Sequence, residues 1–126
     1  TPTIFRLEIA EKFNQAAKEL GVIADVHLKV DTGMNRIGVR WDELNEFADG
    51  LKRFENLKID GIMTHFASAD NDTDFTNLQI KRFNQSVELL QEKGFRPTFR
   101  DMANSPASVG HPASRGNMVR LGGVLY

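Results

Sequence analysis

One stretch of the chain, residues 26–38, limits the possible folds more than any other. Its first half, Val26-His27-Leu28-Lys29-Val30-Asp31, alternates apolar and polar side chains, which predicts a β-strand with one aliphatic and one polar face. Its second half carries Gly33 and Gly38 and predicts a loop. The polar face fits an antiparallel strand open to water, or a strand that faces the interior of a barrel or cleft. In the second case Lys29 needs a partner, and Arg36 can serve only if an anion lies between them.

Helical and strand periodicities alternate along the rest of the chain. Strands are predicted at residues 24–31, 57–64, 99–103 and 118–121. Helices are predicted at residues 7–20, from about 42 to 51, and from 76 to about 93, with a short one beginning at residues 104–106. Asp42 is the expected cap of the second long helix, and Thr76 with Gln79 has capping-box spacing for the third.

This order of elements predicts an α/β fold with a parallel sheet, because right-handed crossovers lay successive strands side by side in one direction. The fold class that we expect is an open parallel sheet or part of a (β/α)8 TIM-type barrel, with about four parallel strands and their helices. A complete barrel needs about twice this length, and the chain stops directly after a predicted strand. We therefore expect a piece of a larger protein.

Charge and composition exclude several classes of function. The chain has 16 basic and 17 acidic residues and a net charge of −1, which predicts neither a nucleic acid nor an acidic membrane surface as partner. It contains no cysteine, and its three histidines lack the spacing of a helical metal motif, so we expect no metal site. No membrane-length or signal-like apolar run occurs, which favours the cytoplasm.

Several polar residues follow the predicted strands, where parallel sheets place their sites. His65 ends a strand and is either a structural donor or a ring that stacks on a planar ligand. The start of the short helix at Ser105 is either ordinary capping or a cradle for a phosphate. Gly122-Gly123 permits close backbone approach to a ligand, although paired glycines also occur in simple turns. Arg120 should project with the ligand-facing set.

Four motifs together resemble bacterial alanine racemase, a family of fold-type III enzymes that use pyridoxal 5'-phosphate (PLP). The motifs are His27-Leu28-Lys29-Val30-Asp31-Thr32-Gly33-Met34-Asn35-Arg36-Ile37-Gly38, Thr64-His65-Phe66-Ala67-Ser68-Ala69-Asp70, Ala103-Asn104-Ser105 and Met118-Val119-Arg120-Leu121-Gly122. They occur in the order and spacing of that family and cover essentially the whole chain. The resemblance implies that residues 1–126 are part of an N-terminal PLP-binding barrel domain. The whole enzyme would be a cytoplasmic homodimer that interconverts L-alanine and D-alanine for peptidoglycan precursors.

The resemblance also implies roles for individual residues. His65 corresponds to the histidine behind the cofactor ring, and Arg120 to the arginine at the pyridine nitrogen. Arg36 corresponds to the arginine near the cofactor's phenolic oxygen and the substrate carboxylate, with Met34 on the substrate side. Lys29 matches a lysine that many members carry as a carbamate, which would supply the missing anion beside Arg36. The expected phosphate contacts are Ser105, Gly122 and Gly123, and Asn104 is expected to bind the cofactor as well.

The chain departs from the family pattern in ways that limit what it could do alone. The family's cofactor-binding lysine lies in a motif resembling Lys-Ala-Asn-Ala-Tyr-Gly, which is absent, and the single tyrosine is Tyr126. Gly123 stands where the family often has a bulkier residue. We therefore expect both proton-transfer groups outside this chain and no activity from it alone. Three alternatives remain: a non-catalytic PLP-binding barrel protein, another PLP-dependent amino-acid racemase or decarboxylase of the same fold, or a half-barrel that serves only as a structural module.

Overall fold

A computed structural model describes residues 1–120 of the chain. The strands in this region are β1 (Thr3–Ile4), β2 (Ala24–Asp31), β3 (Val39–Arg40), β4 (Leu57–Met63), β5 (Phe99–Ala103) and β6 (Met118–Val119). The helices are α1 (Leu7–Leu20), α2 (Leu44–Leu51), α3 (Thr73–Glu92) and α4 (Ser105–Gly110), followed by a 3-10 turn at Pro112–Ser114.

The strands form one parallel sheet in the order β1-β2-β4-β5-β6, and β3 pairs with β2 beside this path. This arrangement confirms the predicted α/β fold and its parallel strands. The described part of the sheet has six strands rather than about four. The two that the sequence did not predict, β1 and β3, are each two residues long, too short to show an alternating pattern.

The core lies between the sheet and the helices on one face of it. Val26, Leu28 and Val30 of β2 are fully buried, in agreement with the predicted aliphatic face. The apolar stripe of α3 is buried as well, and it consists of Ile80, Phe83, Val87 and Leu90. On α1, Ala10 and Ala17 are buried, whereas Leu20 is 77% exposed beside the left-handed Gly21 that ends the helix.

Both helix caps that were predicted from spacing are wrong. Asp42 does not cap α2, because the helix begins one residue later, after Glu43, and the Asp42 carboxylate pairs with Arg40 at 2.8 Å instead. The third helix starts at Thr73, and its cap is Asp72, whose side chain accepts a hydrogen bond from the backbone N–H of Phe75. Thr76 and Gln79 therefore lie inside α3, where both are fully buried.

Parallel strands bring all of their carboxyl ends to one edge of the sheet. Residues that follow β2, β4 and β5, together with Arg120 after β6, therefore meet at the edge where the sequence predicted a site. No helix within residues 1–120 is both long and apolar enough to cross a membrane.

Candidate functional site

The strand register places two charged residues in the same row of the sheet. Lys29 of β2 pairs with Met63 of β4, and Met63 pairs in turn with Asp101 of β5. Paired residues on neighbouring strands point to the same face, so the Lys29 and Asp101 side chains share one face. That face is opposite the aliphatic core, and it carries the polar row predicted for β2.

The loop after β2 is held in shape by Asp31. One oxygen of its carboxylate accepts hydrogen bonds from the backbone N–H groups of Gly33 and Asn35, at 2.9 and 3.1 Å. These bonds stabilise a tight turn in which Asn35 has a positive φ of 56°. Gly38, at φ 134°, passes so close to β2 that a Cβ atom would lie 2.8 Å from the backbone nitrogen of Asp31. The turn thereby directs Met34 and Arg36 back over the end of β2.

A small pocket forms where this loop meets the residues that follow β4. Its lining includes Lys29, Met34, Arg36, Thr64 and His65. The structure thus brings together four of the residues that the sequence assigned to a site.

We refer to Lys29, Arg36, His65 and Arg120 as the cationic cluster, because they interact electrostatically with one another. Burial lowers the pKa of Lys29 most, and the positive charges of Arg36 and Arg120 lower it further, against the opposing effect of Asp31. Burial likewise lowers the pKa of His65, with Arg120, Arg36 and Lys29 adding to the effect. At neutral pH His65 is therefore a neutral imidazole in a positively charged setting, and the cluster favours an anionic ligand.

Arg120 is anchored on two sides. Its Nη2 donates a hydrogen bond to the backbone carbonyl of Thr64 at 2.6 Å. Its Nε lies 2.6 Å from Oδ2 of Asp101, although the N–H is not aligned well enough for a hydrogen bond, so this contact is an ion pair. The Arg120 side chain is still 32% exposed, which leaves part of the guanidinium available to a ligand.

A buried polar network connects the loops after β2 and β4 to helix α3. The Gln79 amide nitrogen donates to Oγ1 of Thr32 and to the carbonyl of His65, at 3.1 and 3.2 Å. The Gln79 carbonyl oxygen accepts from the backbone N–H of Ala67 at 3.1 Å. Every polar group of this buried side chain is therefore satisfied, and the backbone at His65 is fixed in place.

The helix after β5 begins as the sequence predicted. Asn104 is the N-cap of α4, and its side-chain oxygen accepts a hydrogen bond from the backbone N–H of Ala107 at 3.1 Å. Ser105 is the first residue of this helix. The two glycines predicted to approach a phosphate, Gly122 and Gly123, lie outside the described residues. Within residues 1–120, no group of three or more His, Cys, Asp or Glu side chains is placed to hold a metal ion.

The sequence did not single out four residues that shape this site: Asp31, Thr64, Gln79 and Asp101. An aspartate directly before a Thr-Gly turn is a typical signal for side-chain capping of a loop, so Asp31 could have been found. Gln79 was assigned to a helix cap because its spacing from Thr76 fits one. No local pattern distinguishes Asp101, 1% exposed, from a surface aspartate at a strand position.

The fold and the cationic cluster define a barrel-type α/β domain, with a site for an anionic ligand at the carboxyl ends of its strands. The chain matches the family "Alanine racemase, N-terminal domain" over residues 1–126, and it belongs to that family. The described strands are accordingly part of a (β/α)8 barrel.

Individual relatives agree with this assignment. The alanine racemase of Citrifermentans bemidjiense is 45% identical over 129 residues, which cover 98% of this chain and 34% of that protein. The solved alanine racemase of Clostridium difficile 630 in complex with cycloserine has a TM-score of 0.89 and 37% identity, covering 98% of this chain and 35% of that one. The Bartonella henselae alanine racemase with covalently bound pyridoxal phosphate shares the fold, with a TM-score of 0.82 at 21% identity, over 99% of this chain and 34% of that one. The chain thus spans about a third of the length of these relatives.

Proposed function

We propose that this chain forms part of the PLP-binding barrel of an alanine racemase, which interconverts L-alanine and D-alanine for peptidoglycan precursors. In this proposal the whole protein is a cytoplasmic homodimer, as the family resemblance implies. Family membership over residues 1–126 supports the activity, and the cationic cluster supports the position of an anionic cofactor and substrate.

The observation that carries the proposal is the placement of Arg120. Its guanidinium is held by the Thr64 carbonyl and Asp101 at the edge of the sheet, within electrostatic reach of Lys29 and His65. A guanidinium stays protonated at any physiological pH, so it can donate a hydrogen bond to a pyridine nitrogen but cannot give up its proton. An arginine that faces the pyridine nitrogen would therefore leave that nitrogen unprotonated.

That property favours racemisation. When bound, PLP supplies an electron-accepting ring that acidifies the α-hydrogen of an attached amino acid. Arg120 limits how strongly the ring accepts electrons, because it leaves the ring nitrogen without a proton. Return of the proton to the same carbon is then favoured over transamination.

The other members of the cationic cluster are proposed to bind and orient the cofactor and the substrate. His65 offers a neutral, planar imidazole whose backbone is fixed by Gln79, which suits a residue packed behind a flat ring. Arg36 supplies a permanent positive charge for the substrate carboxylate, with Met34 lining the same pocket. Lys29, as a carbamate, would hold Arg36 in place. Lys29, Arg36 and Arg120 support catalysis in this proposal, whereas the family's two acid/base groups correspond to no residue of this chain.

Ser105, Gly122 and Gly123 would hold the phosphate of the cofactor, and Asn104 is a further proposed cofactor-binding residue. The family resemblance supports these assignments. The cap that Asn104 provides is compatible with this role, because it orders the start of α4. Ala103, directly before Asn104, pairs with Val119, directly before Arg120.

The test is direct. Full-length protein purified with PLP should show the visible absorption of bound cofactor and should convert L-alanine to D-alanine, followed by the loss of optical activity. Cofactor absorption without racemisation of any amino acid would favour the non-catalytic PLP-binding barrel. Faster conversion of another amino acid, or release of CO2, would favour a different racemase or a decarboxylase of this fold.

A further inference from the structure

Asp101 is a buried carboxylate with one charged partner. It lies in β5 with 1% of its surface exposed, between Met63 and Met118 in the register of the sheet. Its Oδ2 lies 2.6 Å from Nε of Arg120, and no donor among residues 1–120 reaches its Oδ1. A carboxylate removed from water in this way is stable only with a close counter-charge, so the side chain depends on Arg120.

The orientation of the Arg120 guanidinium depends in turn on Asp101. An arginine side chain has many rotamers, and a single hydrogen bond to the Thr64 carbonyl would still let the guanidinium turn about that contact. The ion pair with Asp101 supplies a second point of attachment, and two points fix the plane of the group. The carboxylate also offsets part of the positive charge that Lys29 and His65 face across the cluster.

Arg120 is the main group that favours the ionised form of Asp101. The pKa of Asp101 is raised above its ordinary value because burial outweighs the opposing effects of Arg120 and, to a smaller extent, His27. His27 belongs to the polar row of β2, and Gly61 leaves the space for its ring, since a Cβ there would lie 2.6 Å from the imidazole.

We propose that Asp101 is a positioning residue: by pairing with Arg120 it sets the direction and effective charge of the guanidinium that faces the pyridine nitrogen. The inference rests on the proposed function, because it assumes PLP at the cationic cluster. It adds a residue that touches neither cofactor nor substrate and acts only through Arg120.

The test compares full-length holoenzyme with its Asp101→Asn variant, which keeps the size of the side chain and removes its charge. The main readout is the nitrogen-15 chemical shift of the pyridine nitrogen in labelled, bound PLP. Without the carboxylate the guanidinium can turn away, and the signal should move toward that of a pyridine nitrogen that accepts no hydrogen bond. We expect kcat to fall by about tenfold or more, with the KM for alanine changed less.

Two controls separate positioning from general damage. Asp42→Asn removes a carboxylate from another arginine pair, the exposed one with Arg40, and should leave the nitrogen signal and kcat unchanged. In an Arg120→Gln background, adding Asp101→Asn should not move the nitrogen signal any further, because Asp101 acts through Arg120 alone. A further shift in that background would contradict the inference.

Different experimental results would reject the role of Asp101 and the proposed function. A folded Asp101→Asn holoenzyme with the wild-type nitrogen signal and kcat would overturn the role of Asp101, while the proposed function would stand. If the unchanged full-length protein neither binds PLP nor racemises alanine, the proposed function fails. Should Asp101→Asn not fold, Asp101→Glu keeps the charge but displaces the guanidinium, and an unaltered nitrogen signal in that variant would refute the inference as well.

Discussion

The hydroxyl groups of Thr32 and Thr64 lie 2.8 Å apart and share a hydrogen bond, although 32 residues separate them in the sequence. Thr32 follows β2 and Thr64 follows β4, and both side chains are fully buried. The contact joins the loop that carries Arg36 to the segment that carries His65. Gln79 completes the connection, since its amide donates to the same Thr32 hydroxyl.

The first prediction concerns this connection. Gln79→Ala would leave the backbone N–H of Ala67 and the carbonyl of His65 without their buried partner and would open a cavity in α3. We expect the free energy of unfolding to fall by about 2–4 kcal/mol, measured by urea denaturation of the full-length protein. Gln15→Ala is the matched control, because Gln15 is exposed on α1, where its side chain donates a hydrogen bond to Glu19; its effect should stay within about 0.5 kcal/mol. Equal effects of the two substitutions would contradict this account.

The network around Gln79 also shows where sequence reasoning stops. The parallel sheet followed from the alternation of long strands and helices, and Asn104 could be placed at the start of α4 because a Ser-Pro pair follows it. Thr76 and Gln79 fit a capping box equally well by spacing, but Asp72 offers a competing cap one turn earlier. The side chain that accepts hydrogen bonds from the free backbone N–H groups at the start of α3 depends on how the helix packs against the sheet. That packing is a property of the folded chain.

Charge pairing was predicted in one place and missed in another. The polar face of β2 predicted that Lys29 needs an anionic partner beside Arg36. The structure places Lys29 within electrostatic reach of two positive charges, those of Arg36 and Arg120. The partner of Arg120, by contrast, is Asp101 on the adjacent strand β5, at a distance of 19 residues along the chain. Cross-strand partners of this kind depend on the register between segments that are distant in the sequence, and neither segment reveals that register by itself.

The second prediction concerns Lys29. Burial and the nearby arginines lower its pKa, so the neutral amine is present at a lower pH than for an ordinary lysine. A neutral amine attacks CO2 and loses a proton to form a carbamate, which would pair with Arg36. Full-length protein equilibrated with carbon-13 bicarbonate should show a carbamate signal by NMR that grows as the pH rises. The signal should vanish in Lys29→Gln.

Lys58 provides the control for that experiment. It lies on β4, and its hydrogen bond to Asp60 raises its pKa, which keeps it as an ammonium group. Lys58→Gln should therefore leave the carbamate signal at full strength. Retention of the signal in Lys29→Gln would assign the modification to a different amine, and its absence from the wild-type protein would reject the modification itself.

The third prediction concerns the protonation of His65. Its pKa is lowered below the ordinary value of about 6.5, first by burial and then by Arg120, Arg36 and Lys29. The unfolded chain therefore binds this proton more readily than the folded one, so the contribution of His65 to stability is complete above pH about 6.5 and is lost as the pH falls below that value. An NMR titration should place the His65 midpoint below that of a free histidine. Arg36→Gln should move the midpoint upward, whereas Arg40→Gln, at an exposed pair with Asp42, should not.

The last prediction concerns the charge at position 120. Arg120→Glu alone would set a carboxylate against the buried Asp101, so the informative variant combines Arg120→Glu with Asp101→Asn. We expect PLP to stay bound, because the proposed phosphate contacts are untouched, and racemisation to slow by a few powers of ten, about 1.4 kcal/mol of barrier for each. A carboxylic acid facing the ring nitrogen would favour its protonated form and increase the ring's capacity to accept electrons. Mixed with alanine, the variant should show a long-wavelength absorption band absent from the wild type and should release pyruvate slowly. Asp101→Asn alone should show neither signal, because Arg120 is still present. Wild-type racemisation by the double variant, without the band or pyruvate, would show that Arg120 does not face the pyridine nitrogen.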